Sequence, residues 1–149
     1  EEDVSTVEAV ILESNIDDMN PEHYDFLMAN LFEAGASDVW MTPIIMKKSR
    51  PAVKLSVLCN MELLENMKEI VFTQSTSLGI REILVNKNML NRKETTVETG
   101  YGKVRIKRSF YKGEGLHSKP EYEDCKKLAK KHKVSISEIE KAVIKILRK

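Results

Sequence analysis

The sequence predicts an α+β fold: a ferredoxin-like βαββαβ antiparallel sheet with two helices, followed by a β-hairpin and two C-terminal helices. Three observations predict it. Strand-like alternation and helical spacing succeed each other in the order β-α-β-β-α-β over the first ninety residues. The short polar turn Lys47-Lys48-Ser49-Arg50-Pro51 joins two apolar-alternating runs, as in a hairpin. Beyond Arg92 the two-residue period returns once and then gives way to two helical patterns. The organisation expected is a ferredoxin-like core over residues 1–90 and a hairpin with a helical extension over 91–149, packed as one structural unit with the core.

Residues 1 to 6 are polar and expected to be frayed. Val7 to Asn15 reads as a strand, with Val7, Ala9 and Ile11 in alternation. Asn20-Pro21-Glu22 reads as a helix start, because Asn caps well and Pro suits a first helical position that needs no N–H donor. Tyr24, Leu27, Met28, Leu31 and Phe32 give that helix one apolar face, and Gly35 ends it. Ser37 to Met46 is a second strand whose Pro43 suggests a sheet edge or bulge. Ala52 to Cys59 is the third strand, and Met61 to Thr73 the second helix. Ser77 to Arg81 leads into a fourth strand through Ile83, Leu84 and Val85. The later hairpin takes Arg92 to Thr99 and Lys103 to Phe110 around Gly100-Tyr101-Gly102. Tyr111 to Lys119 is expected as a glycine-containing loop, and Glu121 to Lys131 and Ser135 to Leu147 as helices. Ser135 with Glu138 three residues on is a capping-box signature.

The bulk numbers narrow the function classes. A chain of 149 residues, 42% hydrophobic and 32% charged, can bury a core without disulfides or metals. Lys and Arg number 24 against 23 Asp and Glu, a net charge of +1. That balance argues against bulk attraction to nucleic acid or membrane, and neither is expected as a partner. Cys59 and Cys125 are far apart and show no zinc spacing, so two reduced thiols in a cytoplasmic protein are expected. There is no membrane-length apolar run and no signal peptide pattern. The chain starts on Glu and is read as a domain of a longer protein.

Candidate chemistry centres on Asn15-Ile16-Asp17-Asp18-Met19-Asn20, where a strand hands over to a helix. Adjacent carboxylates are hard oxygen ligands suited to magnesium or manganese, and they repel unless a cation sits nearby. The other reading of Asp17 and Asp18 is a helix or turn cap, and both stay open. Lys47, Lys48 and Arg50 offer two point charges and a planar fork to a triphosphate, or form an ordinary solvated turn. Arg81 follows Gly79, where backbone could approach a ligand. Tyr101, between two glycines, presents a ring for stacking or is simply a hairpin tip. Glu121, Glu123 and Asp124 cluster at a helix start, where the macrodipole favours acids regardless of function. His23, His117 and His132 are scattered, and no P-loop, G-x-G-x-x-G or Ser-His-Asp set is present.

Several segments together resemble one family. They are Asn15-Ile16-Asp17-Asp18-Met19-Asn20-Pro21-Glu22, Gly35-Ala36-Ser37-Asp38-Val39-Trp40 with Thr42-Pro43-Ile44, and Met46-Lys47-Lys48-Ser49-Arg50-Pro51. Leu78-Gly79-Ile80-Arg81, Tyr101-Gly102-Lys103-Val104 and Pro120-Glu121-Tyr122-Glu123-Asp124-Cys125 follow in family order. The chain thereby resembles the C-terminal domain of LarC-type nickel-insertion proteins; Gln74-Ser75-Thr76 departs from that pattern, which more often has an acid and threonines there. The resemblance implies a CTP-dependent cyclometallase, of lyase or metal-chelatase type, that inserts nickel into pyridinium-3,5-bisthiocarboxylic acid mononucleotide. Its product is the nickel-pincer nucleotide cofactor of lactate racemase. It further implies that this domain binds CTP with Mg2+ or Mn2+ within a homo-oligomer, while the pincer substrate binds through an N-terminal part. On that basis Asp17 and Asp18 are expected to hold the metal. Lys47, Lys48 and Arg50 are expected to screen the triphosphate, with Arg81 a further candidate and Asn15 a further nucleotide-binding residue, and Tyr101, Glu121, Glu123 and Asp124 are expected at the nucleotide's base and ribose end. A fragment of this kind is expected to bind CTP without completing the reaction. The alternative is a non-catalytic ferredoxin-like module for ligand sensing or oligomerisation.

Overall fold

The computed structural model describes residues 3–149. They form two compact units, residues 6–87 and residues 88–149 with residues 3–5. The expected α+β class is what forms.

The first unit is built from most of β1 (Val4–Ile16), α1 (Tyr24–Glu33), β2 (Asp38–Met46), β3 (Arg50–Asn60), α2 (Leu64–Gln74) and most of β4 (Arg81–Leu90). Its sheet runs in the order β2-β3-β1-β4. This order places the first and third strands at the centre, as a split βαβ unit requires. β1 and β3 are antiparallel, with Glu13 opposite Ser56 and Asn15 opposite Lys54. Successive side chains point to opposite faces. Val10, Leu12 and Ile16 therefore enter one core with Leu55, Val57 and Cys59 of β3. Leu27 and Leu31 of α1 and Met67 and Val71 of α2 close that core from the helix side. Glu13 and Asn15 are left on the other face of the sheet.

Local rules explain the joints. The Asn20 side chain accepts a hydrogen bond from the Glu22 N–H at 3.1 Å, the expected cap. Pro21 opens a 3-10 turn, Pro21–His23, before α1 begins at Tyr24. At the other end Gly35 has φ +102°. The Ala36 N–H bonds the Leu31 carbonyl and the Gly35 N–H bonds the Phe32 carbonyl, each at 3.0 Å. These are the paired bonds of a Schellman helix end, which needs a residue free to take positive φ. Pro43 sits in β2, an edge strand, where its missing donor is harmless.

The second unit holds β5 (Arg92–Thr99), β6 (Gly102–Tyr111), β7 (Glu114–Pro120), α3 (Tyr122–His132) and α4 (Ile136–Leu147). Val104 and Ile106 of β6 pack with Cys125 and Ala129 of α3 and Ile139 and Val143 of α4. The Ser135 side chain accepts from the Glu138 N–H at 3.2 Å and caps α4, as its spacing predicts.

Three expectations change. β1 turns Val10, Leu12 and Ile16 into the core rather than the alternate series Val7, Ala9 and Ile11, because the apolar run there occupies both faces and the helices cover only one. β1 begins at Val4 rather than Val7, so residues 4–6 are strand and not frayed ends; residues 1 and 2 lie outside the described residues. The segment expected as a loop over 111–119 contains β7, which pairs with β6 and turns the hairpin into a three-stranded sheet in the order β5-β6-β7. Lys112 (φ 53°) and Gly113 (φ 79°) form the two-residue turn between Tyr111 and Glu114. Positive φ at both central residues suits the twist of paired strands. The Gly113 N–H also donates to Asp3 Oδ2 at 2.6 Å. β7 is exposed along nearly its whole length, so main-chain pairing holds it and no apolar alternation announces it. Among the described residues, no helix is long and apolar enough to cross a membrane.

Candidate functional site

At the C-terminal end of β1 the alternation of side chains divides two sets of contacts. Ser14 is buried on the helix side, where its hydroxyl donates to the Ser77 hydroxyl and lies 2.9 Å from the Gly79 carbonyl oxygen. Glu13 and Asn15 point the other way. There the Arg81 guanidinium donates to Asn15 Oδ1 at 2.9 Å and lies 3.5 Å from Glu13 Oε2. Lys54, opposite Asn15 on β3, puts its Nζ 3.6 Å from Glu13 Oε1. Glu13 thus sits between two cations.

Beyond β1 the chain bends through Asp17 and Asp18 before the Asn20 cap. Asn20 caps the 3-10 turn that leads into α1, so neither aspartate is consumed as that cap. Asp17 Oδ2 lies 3.6 Å from Nη1 of Arg50, which stands at the foot of the β2–β3 hairpin. Asp18 Oδ1 accepts from the Thr76 hydroxyl at 2.6 Å. Burial, and secondly the Asp18 carboxylate, push the Tyr24 phenol above its ordinary pKa. Lys47 and Lys48 are exposed at the hairpin tip, with Lys48 and Ser49 both at positive φ (60° and 56°).

Part of this set borders an open cavity of about 450 Å³. Asn15, Asp17, Asp18, Thr76 and Arg81 supply its polar lining, and Ile16, Met46, Leu78 and Ile80 its apolar lining. The cavity thus combines hard oxygen donors, apolar side chains and a guanidinium. That suits a ligand with a charged end and a flat, less polar end.

The sequence model of the family described as nickel insertion protein matches residues 1–140. The chain belongs to the nickel insertion protein family. The pyridinium-3,5-bisthiocarboxylic acid mononucleotide nickel insertion protein of Clostridium kluyveri is 48% identical over 136 residues, 91% of this chain and 34% of that protein. The protein of the same name from Thermotoga petrophila is 46% identical over 134 residues, 90% of this chain and 34% of its own length. The chain therefore spans about a third of the curated relatives that it matches. The apo form of LarC2, the C-terminal domain of a cyclometallase involved in the synthesis of the NPN cofactor of lactate racemase, is 32% identical to it. That structure aligns with a TM-score of 0.89 over 97% of this chain and 100% of its own. Protein MK0293 from Methanopyrus kandleri AV19, 19% identical with a TM-score of 0.72, shares the fold alone.

In this nickel insertion family chain, the structure gathers Asn15, Asp17, Asp18, Arg50 and Arg81 within the first unit, with Lys47 and Lys48 on the adjoining hairpin. Tyr101, Glu121, Glu123 and Asp124 belong to the second unit. Three of them are engaged there. The Tyr101 hydroxyl donates to Glu138 Oε1 at 2.8 Å, and that bond raises its pKa more than burial does. Glu121 pairs with Lys107 at 3.1 Å. Asp124 is gripped by Arg105. Glu123 is exposed.

Sequence reasoning missed Glu13, Ser14, Thr76 and Ser77. Glu13 is one more acid on an alternating strand, and Thr76 lies 58 positions from its partner Asp18. Only the sheet order, which brings the start of β4 beside the end of β1, joins them.

Proposed function

We propose that this chain is the metal–CTP-binding domain of a longer, cytoplasmic, homo-oligomeric protein. That protein inserts nickel into pyridinium-3,5-bisthiocarboxylic acid mononucleotide, to make the nickel-pincer cofactor of lactate racemase. One observation carries the reading: in a member of this family, Asp17 and Asp18 share one cavity with Arg81 and border the Arg50 hairpin. Carboxylate, amide and hydroxyl oxygens are the donor set of Mg2+ or Mn2+ rather than of a soft metal. Among the described residues no three His, Cys, Asp or Glu side chains gather around a point where a metal ion could join them. Asp17 and Asp18 thus offer part of a shell, which phosphate and water oxygens complete.

Each side chain has a physical task. Asp17 and Asp18 hold the cation, and the cation neutralises phosphate oxygens that two carboxylates alone would repel. Arg81, held by Asn15 and Glu13, lines the cavity and offers its guanidinium to the phosphates, and Arg50 with Lys47 and Lys48 screens the outer phosphates. The apolar wall of Ile16, Met46 and Leu78 supports the nucleoside. Nickel is the inserted substrate, and the pincer nucleotide engages the remainder of the protein.

Thermal unfolding with MnCTP, with CTP alone and with Mn2+ alone tests this. A ligand that binds only the folded chain stabilises it by about 2.7 kcal/mol at a hundredfold excess over Kd. MnCTP is expected to raise the Tm well beyond either component. Asp17→Asn and Asp18→Asn are expected to remove the metal-dependent increment and leave the ligand-free Tm in place. No shift with saturating MnCTP overturns the reading.

A further inference from the structure

We infer that Thr76 is a positioning residue for Asp18, holding that carboxylate in place to receive a divalent cation. The inference rests on the metal–CTP reading above and deepens it. Three observations carry it.

The first is the contact. The Thr76 hydroxyl donates to Asp18 Oδ1 at 2.6 Å, a short bond of the kind an ionised acceptor makes. It uses one oxygen of Asp18. Ligating carboxylates are commonly fixed by a hydrogen bond of this sort from a neighbour that does not touch the metal.

The second is the rigidity of the segment that carries Thr76. The Ser75 N–H and hydroxyl bond the Val71 carbonyl at 3.1 and 2.6 Å, tying Ser75 to the end of α2. The Ser77 N–H donates to Ser75 Oγ at 3.1 Å, and the Ser77 hydroxyl donates to the Gly79 carbonyl at 2.8 Å. Ser77 is also bonded to Ser14 of β1, and both are buried. Thr76 therefore stands between two anchored serines and is itself exposed toward the cavity. A hydroxyl on such a mount fixes its partner, where one on a loose loop would follow it.

The third is that, among the described residues, no second hydrogen bond or ion pair supports Asp18. It follows the end of β1, it does not cap α1, and among the described residues its carboxylate enters no ion pair within 4.0 Å. Asp17, by contrast, has Arg50.

The experiment is a titration of the full chain with CTP, in the presence and absence of Mn2+, for wild type, Thr76→Val and Thr76→Ser. Valine keeps the shape and removes the donor; serine keeps the donor. Thr76→Val is expected to weaken MnCTP binding by about 10- to 100-fold, while metal-free CTP binding changes by less than about twofold. Thr76→Ser is expected to bind MnCTP within about threefold of wild type. Ligand-free melting checks the fold, and Thr76→Ala replaces the valine variant if that one unfolds. The inference is overturned if Thr76→Val binds MnCTP like wild type. It is also overturned by an equal loss with and without metal, or by a serine variant as weak as the valine one. A wild-type chain that fails to bind MnCTP overturns the parent reading and Thr76's role with it, and that failure is visible before any variant is made.

Discussion

Arg105 grips both carboxylate oxygens of Asp124 at 2.9 Å each, and its own backbone N–H donates to Asp124 Oδ2 at the same distance. The three bonds tie the middle of β6 to the first turn of α3. The guanidinium holds the Asp124 carboxyl down at about 2. A carboxyl depressed in the folded state contributes stability above its unfolded pKa and loses it as pH falls through the folded one. Asp124→Asn is expected to lower stability by a constant amount above about pH 4. The gap from wild type then closes between about pH 4 and pH 2. Urea unfolding across that range measures it.

Lys48 lies in the left-handed region with φ 60° and ψ 26°. That conformation costs a residue bearing a Cβ about 1–2 kcal/mol, part of which glycine returns as extra chain entropy on unfolding. Lys48→Gly is therefore expected to leave stability unchanged or raise it by up to about 1 kcal/mol. The same change should weaken MnCTP binding and barely alter cytidine binding. Opposite signs in melting and in affinity would mark Lys48 as kept for its charge rather than for the turn.

Arg81 reaches Asn15 and Glu13 through one nitrogen, Nη2, and the rest of its planar fork is there for a phosphate in the proposed complex. A lysine ammonium is a point charge and cannot offer that fork. Arg81→Lys is expected to lose about tenfold or more in MnCTP affinity, close to the loss for Arg81→Ala, because bonds to charged groups are worth about 1.5–3 kcal/mol. Calorimetric titration of the two variants compares them.

Leu27 is fully buried in the core of the first unit. Leu27→Ala removes that packing and leaves a cavity, so it is expected to cost about 2–5 kcal/mol. The urea midpoint should fall with the slope unchanged.

What the sequence made legible follows from range. Helix ends were readable because their signals are local: Asn20 and Ser135 cap, and Gly35 takes positive φ, each within four residues of the bonds it makes. The edge position of β2 followed from Pro43 for the same reason. β7 was missed because it is exposed on both faces and owes its place to β6. The cavity was half legible. The aspartates and the basic turn are each a run of sequence neighbours, and their meeting at Arg50 and Asp17 follows from the β2-β3-β1 order. Thr76 and Ser77 come from a segment that composition marks only as polar. Averaging hid charge as well. Residues 6–87 carry 7 Lys and Arg against 12 Asp and Glu, whereas residues 88–149 carry 17 against 8. A near-neutral total conceals that opposition.

The two cysteines are distributed one to each core. Cys59 lies among the residues that close the first unit and Cys125 among those that close the second, both with no exposed surface. Burial pushes both thiols above their ordinary pKa, so neither is a ready nucleophile while its core is shut. The unaltered protein thus carries a built-in reporter for each half. The rate at which a thiol reagent labels each position under native conditions reads the opening of that half separately. Addition of MnCTP is then expected to slow labelling of Cys59, which shares its unit with the cavity.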